Sequence, residues 1–292
     1  MKLYAPSTIR EIKDKYDFNL SKSLGQNFLT DKNIIDKIID ESFIGENDLV
    51  IEIGPGIGVI TKEAAERAAK VIAVEIDKNL IPILKDTLKE YENIEIINKD
   101  ILKTNLNEVI DENSMVNGKP ISGVKIIGNL PYYITTPIIM KILEDGVKAD
   151  SITIMMQKEV ADRIKSEAGK KAYGALSVAV GYYCTISHVA AVPKEVFVPR
   201  PKVDSTVIRL DIRKEKPVQL EDENIFFQCV KAGFGQRRKT MLNSLTGVCG
   251  LSKEAVGQVM ESIGIDSRRR AETMDIGEFA SLSNAVYTKI KG

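Results

Sequence analysis

The chain has 292 residues, 43 % of them hydrophobic and 28 % charged, and its 41 Lys and Arg balance 41 Asp and Glu. That is enough apolar material for one large or two modest cores, and the interspersed charges exclude a disordered or membrane-embedded chain. The opening MKLYAPSTIREIKDKYDF lacks an uninterrupted apolar stretch and no later run approaches a membrane span, so neither a signal peptide nor a membrane anchor is expected.

In chain order, DLVIEIG (48–54) is short and apolar like a buried strand, and GVITKEAAERAA (58–69) has helical spacing. KVIAVEID (70–77) is again a strand, LIPILKDTLKEY (80–91) a helix, and NIEIINKDI (93–101) and VKIIGN (124–129) are further strands. The helix TTPIIMKILEDG (135–146) separates the last of these from the strand SITIMMQ (151–157). This rhythm predicts a mostly parallel sheet with helices on both faces. TISHVAAV (185–192) and DSTVIRLDI (204–212) add strands, read as antiparallel ones at an edge. After Arg213 the polar KEKPVQLEDEN reads as a linker, and IFFQCVKAGF, KTMLNSL, KEAVGQVMESI and IGEFASLSNAVYTKI have helical patterns. The expected organisation is therefore an α/β domain over 1–213 and a small all-helical domain over 214–292. Cys184, Cys229 and Cys249 stand far apart with one histidine in the whole chain, which argues against disulfides and zinc and for a reducing, cytoplasmic setting.

VIEIGPGIGVITKEAAERA places Gly54, Gly56 and Gly58 between the first strand and its helix, where a tight turn and free helix N–H groups suit a polar ligand. A plain turn uses the same glycines. Glu75 at the end of the second strand stands where an acid accepts hydrogen bonds from ribose hydroxyls, and Asp100 at the end of the third can accept from an adenine amine. Three successive strand ends then furnish glycines, Glu and Asp along one rim, which points to a nucleoside-containing cofactor. The fourth strand runs into Gly128, Asn129, Leu130, Pro131, Tyr132 and Tyr133 on the same rim. The Asn129 amide oxygen and a carbonyl of the Leu130-Pro131 segment can each accept one hydrogen of an adenine N6 amine. Its delocalised lone pair then turns toward an electrophile, and Tyr132 offers a face for a base taken out of its stack. A strand end followed by a proline turn with inward tyrosines is the structural alternative.

SLGQNFLTD (23–31), EIGPGIGVIT (52–61), VEID (74–77), NKDIL (98–102), GNLPYYITTPI (128–138), VFVPRPKVDS (196–205) and GFGQRRKTMLNSL (233–245) together resemble the small-subunit ribosomal RNA adenine N6,N6-dimethyltransferase family. The resemblance implies a Rossmann-like class I methyltransferase domain that uses S-adenosyl-L-methionine. It implies dimethylation of two adjacent adenosines in the 3′-terminal hairpin of 16S rRNA during small-subunit assembly. Carried over residue by residue, it places Gln26, Asn27, Leu29, Gly54, Gly56, Glu75, Ile76, Asp100, Ile101 and Asn129 around the cofactor. Asn129, Leu130, Pro131 and Tyr132 hold the target adenine, with Phe197 on its other face. No metal is expected, and His188, the one histidine, sits in a strand-like run with no base role required of it. The cationic sulfonium supplies the driving force, so cofactor and positioning carry the reaction.

Residues 193–292 hold 17 Lys and Arg against 13 Asp and Glu, whereas residues 1–192 hold 24 against 28. The basic clusters with Arg237, Arg238 and Lys239, and with Arg268 and Arg269, are candidate RNA phosphate contacts, although a solvated helix face has the same look. Lys13, Lys15 and Lys22 are possible extensions. The expected partner is 16S rRNA within the small ribosomal subunit or its precursor, with no membrane and a monomeric chain. Two other readings stay open: a large-subunit adenine N6-methyltransferase of the erythromycin-resistance type, and an assembly or transcription factor that keeps the fold without essential activity.

Overall fold

Short β-branched runs separated by glycine- or asparagine-marked turns build one seven-stranded sheet. A computed structural model describes residues 1–18, 25–236 and 238–292. Strands β1 (Asp48–Ile53), β2 (Lys70–Glu75), β3 (Ile94–Asn98), β4 (Gly123–Asn129), β5 (Ser151–Gln157), β6 (Cys184–Val192) and β7 (Ser205–Ile212) form one sheet in the order β3-β2-β1-β4-β5-β7-β6. The pairs β1·β2, β2·β3, β1·β4 and β4·β5 are parallel, and β7 runs antiparallel to β5. The mostly parallel sheet expected from the alternating pattern is thus present, with its antiparallel part toward one edge. β1 is buried at every position, as a central strand covered on both faces should be.

Register decides where the chemistry goes. Ile53 pairs with Val74 on one side and Gly128 on the other, and Glu75 pairs with Asn98. The carboxyl ends of β1 to β4 are therefore level, and the chain order reverses between β1 and β4, the place where open α/β sheets bind ligands. Helices Val59–Ala65, Leu80–Thr87 and Thr135–Glu144 follow β1, β2 and β4. The first is shorter than the pattern over 58–69 suggested, because the chain turns at Arg67, whose N–H reaches Ala64 O.

Two compact units result: Met1–Ala161 with Ile186–Ile212, and Asp162–Thr185 with Arg213–Gly292. The second unit includes a segment well ahead of residue 214, where the sequence pattern marked one boundary. Side-chain chemistry explains the grouping. Tyr182 and Tyr183, on helix Ala175–Tyr183, both donate to the Glu223 carboxylate of helix Glu223–Gly235, and the Tyr183 ring stacks on Phe227. Tyr173 Oη donates to Met274 O at 2.9 Å. Phe226 and Phe279 are fully buried in this unit, and the last helix, Ile276–Lys291, starts with a capping box between Asp275 and Glu278.

Candidate functional site

Along the level strand ends lies a cleft of about 980 Å³ including its open mouth, within the ~300–1,000 Å³ typical of small-molecule sites. Gly54, Gly56, Glu75, Ile76, Asp100, Ile101 and Asn129 line it, and so do Gln26, Asn27 and Leu29 from the amino-terminal segment. The sheet thus brings four strand ends to one cavity, and the chain before β1 closes it from outside.

Glu75 is 5 % exposed and accepts the Asp77 N–H at 2.8 Å on Oε1 and the Gly56 N–H at 3.4 Å on Oε2. Burial pushes its carboxyl up to about 7, against the pull of these backbone amides. Such a group gains from ligand hydroxyls that donate to it. Gly56 has φ +62°, and a Cβ there would stand 3.0 Å from Phe28 Cε1, so only glycine lets the loop fold under the Phe28 ring. Asp100 lies just past β3 rather than within it; its Oδ1 accepts the Leu102 N–H at 3.0 Å and starts a helical turn over Ile101–Lys103.

Asn129 closes β4. Its Nδ2 donates to the Asn27 main-chain carbonyl at 2.9 Å, which leaves Oδ1 as the acceptor end of the amide. Pro131 O is taken by the Ile134 N–H at 3.1 Å and Thr135 Oγ1 at 3.0 Å, so the second acceptor in this loop falls to the Leu130 carbonyl.

Not all of the candidate base-holding residues face the cleft. Asn129 and Pro131 line it; the Leu130 side chain is 1 % exposed and packed in the core. Phe197 is 3 % exposed, held in a short antiparallel ladder in which Leu29 pairs with Phe197 and Phe28 with Val198. Tyr132 is half-buried with its hydroxyl 2.8 Å from Ser205 Oγ, and Tyr133, 61 % exposed, stands at the mouth instead.

Sequence reasoning passed over Glu52. It lies in β1, lines the cleft and is 1 % exposed. Its Oε2 and Thr61 Oγ1 are both buried without a well-formed hydrogen bond among the described residues. Burial drives its carboxyl up to about 8, Thr61 only partly offsets this, and the Glu75 charge adds to it. A buried acid with an unsatisfied oxygen in the cavity wall, beside two further acids, fits a ligand that carries positive charge and hydroxyl or amine donors. S-adenosyl-L-methionine has all of these.

The basic clusters lie in the second unit and adjoin each other: the Met241 N–H reaches Arg269 O at 2.7 Å and the Leu242 N–H reaches Ser267 O at 3.3 Å. Arg238 and Lys239 are exposed, whereas Arg237 lies outside the described residues, as does Lys22. Arg268 is exposed and pairs with Asp266 at 2.9 Å. Arg269 differs, since its guanidinium is forked onto the Glu278 carboxylate and also reaches Thr273 O. Lys15 in helix Pro6–Lys15 is bridged to Asp86 at 2.6 Å.

A family model described as ribosomal RNA adenine dimethylase matches residues 17–287. The ribosomal RNA small subunit methyltransferase A of Clostridioides difficile (strain 630) is 50 % identical, covering 99 % of this chain and 98 % of that one. The protein of that name from Alkaliphilus oremlandii (strain OhILAs) is 52 % identical with 99 % of both covered. Among solved structures, a dimethyladenosine transferase from Plasmodium falciparum superposes with TM-score 0.74 at 25 % identity over 89 % of this chain and 98 % of its own. The 23S rRNA methyltransferase ErmE superposes with TM-score 0.66 at 24 % identity over 89 % and 99 %, a likeness of fold.

Proposed function

The chain belongs to the ribosomal RNA adenine dimethylase family, and from that premise we propose that it dimethylates N6 of two adjacent adenosines near the 3′ end of 16S rRNA, using S-adenosyl-L-methionine. The observation that carries the reading is the Asn129 amide, tied through Nδ2 to Asn27 O with Oδ1 left as acceptor, on a rim shared with Glu75 and Asp100. When bound, the cofactor supplies an electrophilic methyl group on a cationic sulfur.

The rest of the work belongs to the chain. Glu75 accepts the ribose hydroxyls, Asp100 accepts the cofactor's adenine amine, and Ile76 and Ile101 flank that ring. Gly54 and Gly56 let the backbone come close, with Gln26, Asn27 and Leu29 covering the outer side. At the target, Asn129 Oδ1 and Leu130 O accept the two N6 hydrogens in the first transfer and share the one that remains in the second, which draws the nitrogen toward a pyramidal geometry and frees its lone pair; the cationic amine formed each time loses its proton to water. The acceptors gain as positive charge grows on that nitrogen, so they favour the transition state over the ground state. Pro131 stiffens the turn, and Tyr132 and Phe197 supply the aromatic faces for the extruded base; Phe197 is buried here and has to turn out to do so. Arg237, Arg238, Lys239 and Arg268 contact RNA phosphates, while Arg269, forked onto Glu278, braces the start of the last helix beside them. The setting is the cytoplasm, and the chain acts as a monomer.

Incubation with isolated, unmodified small and large ribosomal subunits and methyl-labelled cofactor tests this. The expected product is N6,N6-dimethyladenosine at two neighbouring positions of 16S rRNA, located by nuclease digestion and mass spectrometry. Label in 23S rRNA alone would point to the erythromycin-resistance type of enzyme, and no label to an assembly factor.

A further inference from the structure

Four contacts make the stretch 25–30 a clamp on the rim. Gln26 Nε2 donates to Asp77 Oδ2 at 2.8 Å, and Asp77 N–H donates in turn to Glu75. Phe28 covers Gly56, and Thr30 N–H and Oγ1 both reach Val196 O at 2.8 Å. The fourth contact is the Asn27 carbonyl on Asn129 Nδ2. What aims that carbonyl is a turn at Gly25, which has φ +62° and whose own carbonyl accepts Asn27 Nδ2 at 2.9 Å.

The amide of an asparagine has an acceptor end and a donor end that differ little in shape. Turned over, Asn129 would present its NH2 to the N6 amine, donor against donor, and its oxygen to the Asn27 carbonyl, acceptor against acceptor. Methyl transfer needs only one of these orientations. We propose that Gly25 is a positioning residue for methyl transfer: its left-handed turn carries the Asn27 carbonyl to Asn129 Nδ2 and so fixes Oδ1 toward the substrate nitrogen. This rests on the function proposed above.

Space is not what glycine provides here, since a Cβ at Gly25 would meet Pro131 Cβ at 3.4 Å and Tyr133 Cε1 at 3.8 Å, ordinary contacts. Its contribution is φ. The consequence is an order of substitutions set by tolerance of the left-handed region rather than by size, because asparagine enters that region far more readily than alanine does.

The full chain, bound to S-adenosyl-L-methionine and labelled with 15N in asparagine side chains, tests this by NMR, with the Asn129 signal identified by its loss in Asn129→Ala. In the parent, one Asn129 side-chain proton should exchange slowly. In Gly25→Ala that protection should disappear and single-turnover methylation of small subunits, measured with cofactor and subunits both saturating, should fall about tenfold. Gly25→Asn should keep the protection and most of the rate, and it carries the test by itself if Gly25→Ala does not fold. An unprotected Asn129 amide in the parent, a parental rate in Gly25→Ala, or a lost rate with protection intact would each overturn the proposal. A parent that shows the protected amide, loses it in Gly25→Ala and methylates no ribosomal RNA would overturn the function while supporting the amide geometry.

Discussion

The Tyr132 hydroxyl lies 2.8 Å from Ser205 Oγ and joins the loop after β4 to the first residue of β7. Ser205 is 1 % exposed, so the bond satisfies a hydroxyl that has no access to water. Tyr132→Phe keeps the ring and leaves Ser205 unpaired. It should cost about 1–3 kcal/mol of stability in denaturant unfolding while retaining most of the methylation rate, whereas Tyr132→Ala should weaken RNA binding as well. Equal activity in both variants would separate Tyr132 from base capture.

Asn129→Ala removes the amide oxygen that the proposed mechanism sets against the target nitrogen. Loss of one preorganised partner of this kind costs about 3–4 kcal/mol, roughly a hundred- to a thousandfold in rate. Single-turnover methylation with both substrates saturating should fall by that order. A parental rate in a folded variant would reduce the loop to a turn.

Glu75 titrates near neutrality in the ligand-free protein, its carboxyl raised to about 7 by burial. Hydroxyl donors on a ligand favour the ionised form and so lower that pKa on binding. Below about pH 7 a proton must leave before the ligand is held, and affinity should therefore fall as pH drops from 8 to 6, by about tenfold per unit at the limit. Calorimetric titration across that range should show the slope in the parent and a flatter, weaker profile in Glu75→Gln.

Glu52 makes the opposite demand on the fold itself. Its folded pKa of about 8 stands above the ordinary 4.5, so between those values the native state binds more protons than the unfolded chain. Stability from this group is full below about pH 4.5 and is lost as pH rises toward 8, a loss on the order of a few kcal/mol. Glu52→Gln should be more stable than the parent at pH 8.5 in guanidinium unfolding, with the advantage shrinking at pH 5.5. A constant difference between the two pH values would contradict it.

Arg238 and Lys239 are exposed, while Arg269 is forked onto Glu278 next to the amino terminus of the last helix. Replacing Arg238 and Lys239 by Ala should lower the log-log salt slope of small-subunit binding by about two and leave melting unchanged. Arg269→Ala should lower the melting temperature first, because it strips a carboxylate of a bidentate partner. Filter binding over a salt series and thermal unfolding distinguish the two.

Much of the rim was legible because its chemistry sits at strand ends. Gly54, Glu75, Asp100 and Asn129 each interrupt an apolar run with a residue the run does not need, and parallel pairing then makes the four interruptions neighbours. Glu52 was illegible for the converse reason: a lone acid inside VIEIG looks like one polar position in a strand, and only the burial of both sheet faces reveals it. The burial of Phe197 depends on its pairing with Leu29, some 170 residues away in sequence, and no local pattern records that. The same holds for 162–185, whose partners come from beyond residue 213.

That last feature bears on how the protein can be cut. A truncation after Arg213, the place where composition invites one, would leave Tyr182 and Tyr183 without Glu223 and expose the aromatic faces that Phe226 and Phe227 cover. The helical part is therefore not a detachable tail: its two chain segments, Asp162–Thr185 and Arg213–Gly292, bury each other's side chains. Exchanging this part between relatives would likewise require two grafts in each chain.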